Sequence, residues 1–318
     1  MALITPPPSN PKAYQFSPLH CTTRRPGQAE LVPDITSAAL VDAAESKPEP
    51  GAAKFRRILL SDVVVTSQKR VFFGRKWNAY DLATASVILA MHCLCLFAPF
   101  QFNWRALLVA VALYVVTGLF GITLSFHRNL SHRSFKVPKW LEYFFAYCGV
   151  QALQGSPITW VSTHRYHHQF VDSERDPHSP TAGFWFSHIS WLFDTTSINE
   201  RCGGPNNVGD LKKQPFFRFL DKTYVIHPIA LGALLYGLGG FPFLVWGMGV
   251  RVVWVYHITW LVNSACHVWG KQLWKTARHG LEWWELDMTW YVVKLLQAIG
   301  LAIDVKVPTE VQKKRMAI

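Results

Sequence analysis

The sequence predicts an all-α integral membrane protein, with four transmembrane helices in two hairpins and a helical, histidine-rich cap on one side. Three observations predict it. Half of the 318 residues are hydrophobic and only 16% are charged, against roughly 25% in an ordinary soluble domain, and mean hydropathy is +0.12. The apolar residues gather in runs long enough to cross a bilayer. Five of the 13 histidines fall into two tight clusters. A net charge of +12 fits nucleic acid, an acidic ligand or an anionic membrane surface, because each rewards clustered Lys and Arg. The 14 Trp among long apolar runs favour the membrane, since indole rings settle at the headgroup boundary. No nucleic-acid partner is expected.

Residues 1–53 form a region of their own. The first 29 residues hold no Asp or Glu but carry Lys12, Arg24 and Arg25 among Ser, Thr and Pro, with no apolar core of signal-peptide length. That composition matches an organelle transit peptide better than a secretory signal. The Pro, Ala and Glu mixture that continues to residue 53 cannot bury a core, so disorder is expected, with an ordinary disordered tail as the alternative to a leader.

Residues 54–318 make the membrane domain. A hydrocarbon core of about 30 Å takes about 20 helical residues to cross, and the candidate spans are 82–100, 106–126, 224–238 and 241–262, the third being the weakest. The first two form a hairpin turning at 102–104, and the last two are joined by residues 239–242, too short a link for a domain. Arg251 and His257 interrupt the fourth span and must face protein or a polar cavity. Counting crossings puts residues 127–222, and those after Asn263, on the side where the chain entered. That side carries Arg70, Arg75, Lys76, Arg128, Arg133, Lys136, Lys139 and Arg165, while the opposite loops hold only Arg105. The basic side is the cytosol or, behind a plastid leader, the stroma. Segments 140–153 and 183–193 are apolar or aromatic but short, and read as interfacial helices. The six Cys form no CxxC pair and read as reduced thiols.

The histidines carry the chemistry. His127 and His132 follow the second span directly, and His164, His167 and His168 form the second cluster. Positions i, i+3 and i+4 share one helix face, which lets three imidazoles converge on a metal while the backbone stays hydrogen-bonded. Neutral imidazole is a common ligand for iron, zinc and copper. Asn263 and His267, spaced i, i+4 at the end of the fourth span, meet the same side. A lone His is more often a satisfied polar residue than a ligand; the clustering is what points to metal. Asp172, Glu174 and Asp176 are candidates to orient imidazole N–H groups, or else a solvated loop face.

The motifs His127-x4-His132, His164-x2-His167-His168 and Asn263-x3-His267 carry a resemblance. So do the flanking runs Trp160-Val161-Ser162-Thr163, Asp176-Pro177-His178-Ser179-Pro180, Gly74-Arg75-Lys76-Trp77-Asn78 and Gly280-Leu281-Glu282-Trp283-Trp284. Over about residues 70–318 the chain resembles the plant acyl-lipid and acyl-CoA desaturases of the stearoyl-type branch. The resemblance implies a di-iron (Fe) centre ligated mainly by His, O2 as oxidant, and a double bond introduced into a saturated acyl chain of a lipid or acyl-CoA. Such chemistry needs a metal, because cleaving O–O and a strong C–H bond exceeds what side chains do as acids or bases. The metal-site residues by resemblance are His127, His132, His164, His167, His168, Asn263 and His267. No Gly-rich nucleotide fold and no His-Pro-Gly-Gly haem motif occurs, so electrons must come from a separate carrier. That carrier is ferredoxin in a chloroplast membrane, the expected location, or cytochrome b5 in the endoplasmic reticulum membrane, the alternative. An oligomer is compatible with this reading. Lipid hydroxylases also use histidine boxes, but the x4 spacing and the Asn263-x3-His267 element argue against them.

The chain departs from the family in one place. A third His-x2-His-His box normally follows the Asn263-x3-His267 element. Here Trp269 leads into Gly-Lys-Gln-Leu-Trp-Lys-Thr-Ala-Arg-His-Gly, passing from text that normally precedes the box to text that normally follows it. The junction lies near Thr276 and Ala277, and His279 receives no ligand role. The expectation is a desaturase by descent that lacks ligands; a catalytically impaired membrane partner of intact subunits is the alternative.

Overall fold

A computed structural model describes residues 56–66, 75–270, 287–311 and 314. The leader region, Arg70, the expected junction at Thr276 and Ala277, and His279 lie outside the described residues. A short antiparallel pair, β1 (Arg56–Arg57) with β2 (Val64–Val65), precedes the helices.

The first helix, α1 (Ala79–Cys95), starts where Asn78 accepts from the Asp81 amide and Asp81 accepts back from the Asn78 amide. This reciprocal cap satisfies two orphan donors. The fully buried Asp81 carboxylate also takes Arg75 at 3.1 Å and the Thr195 hydroxyl at 2.7 Å, fixing the start of α1 to the cap. Next, α2 (Trp104–Ser131) is capped by Asn103. It is followed by α3 (Lys139–Val150), α4 (Pro157–Phe170), α5 (Phe184–His188), α6 (Thr195–Cys202) and α7 (Pro215–Thr223). The long α8 (Ile226–Trp269) and α9 (Met288–Ala298) come last, and a single turn at Gly209–Lys212 precedes α7.

Two of these, α2 with 28 residues and α8 with 44, are long and apolar enough to cross a membrane; α1, with 17, is apolar but shorter. The bounds differ from those expected. The first apolar stretch stops being helical after Cys95, because Leu96 to Gln101 close successive turns. The second runs on to Ser131, past the expected end at 126. The third and fourth stretches are one element with a break at Gly240, whose φ of 68° and ψ of −157° lie where glycine alone is comfortable. Across that break a Cβ placed on Gly247 would stand 2.7 Å from the Leu235 side chain, so the two arms are in contact.

Segment 140–153 is helical as far as Val150, with Trp140, Phe144 and Tyr147 exposed and Leu141, Phe145 and Ala146 buried. Segment 183–193 is not one interfacial helix. It breaks at Ile189 (φ −138°), and Phe186 and Phe193 pack into a core with Ile88, Val252, Tyr256 and Trp260. Phe186 and Phe193 serve the protein interior while Trp185 stays exposed, a division that composition alone does not reveal. The buried Arg251 meets its expected condition: it donates to the Gly247 carbonyl at 2.8 Å and the Gln151 carbonyl at 2.6 Å. The five described cysteines are free thiols.

Helices α2 and α3 approach closely through two glycines. A Cβ on Gly121 would lie 2.5 Å from the Gly149 backbone nitrogen, and one on Gly149 would lie 2.5 Å from the Phe126 ring. Backbone cannot swing aside as a flexible side chain does. Gly121→Ala should therefore destabilise the protein by about 1–3 kcal/mol, the usual cost of overpacking. Gly237→Ala, with nothing within 4 Å of the new methyl, should leave the unfolding temperature in detergent unchanged; equal behaviour of the two variants would refute the close crossing.

Candidate metal centre

The last turns of α2 explain how residues five apart can serve one site. In an α-helix of 3.6 residues per turn, five positions leave two side chains about 140° apart. From Val115 to Ser131 the backbone instead winds with five-residue hydrogen-bond steps, the His132 amide donating to the His127 carbonyl at 3.0 Å. His132 therefore returns nearly above His127, and their Nε2 atoms lie 3.2 Å apart. Such wide turns are uncommon and gather at functional sites.

Helix α4, started by Ser156 accepting from the Thr159 amide and by Pro157 in its first turn, brings the second cluster to the same place. His164 Nε2 lies 3.2 Å from His132 Nε2 and 3.0 Å from His168 Nε2. Ligand nitrogens about 2.0–2.1 Å from one metal, as for zinc, stand about 3 Å apart at ordinary coordination angles. His127, His132, His164 and His168 are thus spaced as a set of donors that could hold one ion. Two of them are held in the ligating, neutral form by their surroundings. Burial, then the neighbouring His127, His168, His132 and His167, hold His164 well below the ordinary imidazole range. Burial, Arg128 and His167 lower His132 as well.

The remaining imidazoles gather separately. His167 faces Asp176, its Nδ1 3.0 Å from both carboxylate oxygens. Asp176 is fully buried and also accepts from the Asp172 and His178 amides. Burial raises its pKa, but His178 and His167 outweigh that and hold it below the usual carboxylate value. His267 is anchored by Asp172 at 2.9 Å, and its ring centre lies 4.9 Å from that of His167. His167, Asp176 and His178 form a second group that could hold an ion. The box histidines and His267 therefore gather in two neighbourhoods. Asn263 sits half-buried four residues before His267, on a wide turn at Val262–Cys266. Of the candidate orienting carboxylates, Asp172 and Asp176 take that place; Glu174 is exposed.

The fatty acid desaturase family profile matches residues 102–292. The chain belongs to the fatty acid desaturase family. It is 62% identical over 314 aligned residues to the palmitoyl-monogalactosyldiacylglycerol delta-7 desaturase, chloroplastic, of Arabidopsis thaliana, covering 89% of this chain and 82% of the relative. Identity is 49% over 314 aligned residues to the acyl-CoA C20 Delta5-desaturase of Anemone leveillei, covering 89% of this chain and 99% of the relative. Against the delta-9 acyl-lipid desaturase 1 of Arabidopsis thaliana it is 54% over 280, covering 79% and 92%. These relatives are oxidoreductases, and the desaturase reading of the histidine motifs stands.

Sequence reasoning missed a polar chain inside this desaturase. His92 Nδ1 meets the Ile88 carbonyl at 2.7 Å, and its Nε2 meets His257 Nε2 at 3.1 Å. His257 Nδ1 meets His188 Nε2 at 3.3 Å, and His188 Nδ1 meets the Ser264 hydroxyl at 3.0 Å. Ser264 in turn donates to the Trp260 carbonyl at 2.8 Å. Both ends are carbonyls, so the links need one proton more than neutral groups supply. The available signal was a His inside each of two apolar stretches, since polar residues there need partners.

The neutral imidazoles make stability depend on pH. Burial and His167 push His178 from its ordinary 6.5 down to about 3, and His164 is shifted the same way. A lowered folded-state value costs nothing while both states are neutral. As pH falls through about 6.5 the unfolded chain takes up protons that the folded chain refuses, which favours unfolding. The unfolding temperature of chelator-stripped protein should be flat above about pH 7 and fall steadily below 6.5, the His178 share saturating near pH 3. A rise in unfolding temperature between pH 7 and 5 would contradict it.

Proposed function

We propose that this chain is a di-iron, O2-dependent acyl desaturase that introduces a double bond into a saturated acyl chain of a membrane lipid. The observation that carries the reading is the set of imidazole nitrogens 3.0–3.2 Å apart at the end of an apolar 28-residue helix. The ligands are His127, His132, His164, His167, His168 and His267, with Asn263 nearby. Four spans in two hairpins would put all of them on one basic side; the contact of Gly247 with Leu235 supports the second hairpin.

A di-iron pair, when bound, supplies the oxygen-activating power that removes two hydrogens from neighbouring methylenes. The protein's part is positioning. Asp176 and Asp172 hold the Nδ1 protons of His167 and His267, which turns each Nε2 lone pair to the metal side. Trp160 stacks on His164, ring centres 4.9 Å apart, and limits its rotation. The apolar arms of α2 and α8 exclude water from the path of an acyl chain. A glycerolipid is favoured as substrate over acyl-CoA because the galactolipid enzyme of Arabidopsis shares the highest identity of the relatives named above.

The lack of a third His-x2-His-His box after His267 would leave this form short of ligands. Six histidines are too few to fill two iron sites without water or substitute ligands. The sequence as it stands should bind iron weakly and desaturate at least roughly tenfold more slowly than a form with a His-x2-His-His box restored between Thr276 and Ala277. Expression in yeast with a suitable electron donor, reading unsaturated acyl chains beside iron per protein, separates the cases. Full activity with two tightly held irons in the present sequence would sink the deficit, and absence of iron and product in both forms would sink the function.

The leader decides the electron donor. Residues 1–53 fused to a fluorescent reporter should enter plastids, where ferredoxin supplies electrons. Accumulation in the endoplasmic reticulum would move the donor to cytochrome b5 and the enzyme to that membrane.

A further inference from the structure

Four imidazoles occupy the first neighbourhood, which leaves His167 and His267 for a second metal, and two donors are a poor set. His178 stands beside them. It lies in a loop in which all five residues from Asp176 to Pro180 are buried, although connecting segments ordinarily run over the surface. Its ring is 3% exposed, 4.2 Å from the His167 ring and 33° from parallel to it. Trp191 covers it from another side, 5.1 Å between ring centres.

Among the described residues His178 Nδ1 has no hydrogen-bond partner. The anion it faces is Asp176, at 3.8 Å, beyond hydrogen-bond reach. Asp176 already accepts from His167 and from two backbone amides, so it acts as an anchor and not as an open ligand. Its negative charge favours the proton on whichever nitrogen faces it, in His178 as in His167, and leaves the lone pair on Nε2. With the Nδ1 of each ring turned to one carboxylate and the ring centres 4.2 Å apart, each Nε2 lies on the edge of its ring away from Asp176. We propose that His178 is a ligand of the second metal through Nε2, joining His167 and His267 and supplying a donor that the absent third box does not. This rests on the two-metal reading above.

The test is Co(II) titration of the purified full chain in detergent, followed by visible absorption, with bound metal counted by mass spectrometry. The variants are His178→Ala, His178→Asn, Trp191→Phe and His164→Ala. Wild type should take two equivalents, the second more weakly. Both His178 variants should lose the second equivalent, or bind it at least tenfold more weakly, and keep the first; His164→Ala should lose the first. Trp191→Phe, which alters packing but no donor, should keep both. Wild-type affinity for two equivalents in the His178 variants overturns the ligand assignment. The assignment also falls if both His178 variants aggregate while Trp191→Phe stays monodisperse, or if Trp191→Phe loses the second equivalent equally, because either result makes His178 a packing residue. Fewer than two equivalents in wild type overturns the two-metal reading itself, a different result from two equivalents indifferent to His178.

Discussion

Arg165 holds the site together. It lies inside the second histidine cluster and donates to the Leu130 carbonyl at 2.7 Å, the Asn207 carbonyl at 2.7 Å and both oxygens of Asp210. The Leu130 carbonyl belongs to the last turn of α2, where such groups have no helical partner. A planar guanidinium with five donors can serve several acceptors at fixed angles, which an ammonium cannot. Arg133 pairs with the same Asp210. The end of α2 is thereby tied to α4, and the Nε2 contacts between the two helices depend on that tie.

The same logic governs the apolar arms. A cation within an apolar helix is tolerated when its donors are used inside the protein, and Arg251 is 2% exposed with carbonyl, hydroxyl and thioether partners. It links α8 to Gln151 at the end of α3 and to Thr117 of α2. His92, His257 and His188 similarly join α1, α8 and α5, so polar pins cross a region where apolar contact alone would let helices slide. The far ends are fixed otherwise: the Trp246 indole donates to the Gln101 carbonyl at 2.9 Å, and Phe97 meets Phe241, ring centres 5.6 Å apart. Helix α9 is tied to α2 through the Arg128–Asp287 pair and through Thr123 and Thr289 at 2.9 Å.

Carboxylates divide the labour around the imidazoles. The first cluster is packed ring against ring, His132 and His168 at 4.4 Å and His127 and His164 at 4.7 Å between centres. The second is hung from Asp172 and Asp176. Burial, and after it the charge of neighbouring groups, keep His164 and His132 of the first set neutral, while hydrogen bonds fix the tautomer of the second. Both routes present lone pairs, and an ion with open coordination positions needs lone pairs held in advance of binding.

Composition and local spacing determined what depends on neighbours along the chain. The apolar runs, the i, i+3, i+4 pattern of His164, His167 and His168, the Pro157 helix start and the family motifs are all of that kind, and from them the helical class, the two histidine clusters and the desaturase family were legible. Tertiary structure alone decided the rest. The five-residue winding that unites His127 with His132 depends on how α2 is held against α3 and α4, and a spacing of five says nothing about it in isolation. The sorting of six histidines into two neighbourhoods depends on which carboxylate each ring meets, and Asp172 finds His267 across 95 residues. The burial of Phe186 and Phe193, and the chain from His92 to Ser264, likewise join residues whose partners lie on other helices. Periodicity reports the face a residue occupies; only the packed fold supplies what stands opposite that face.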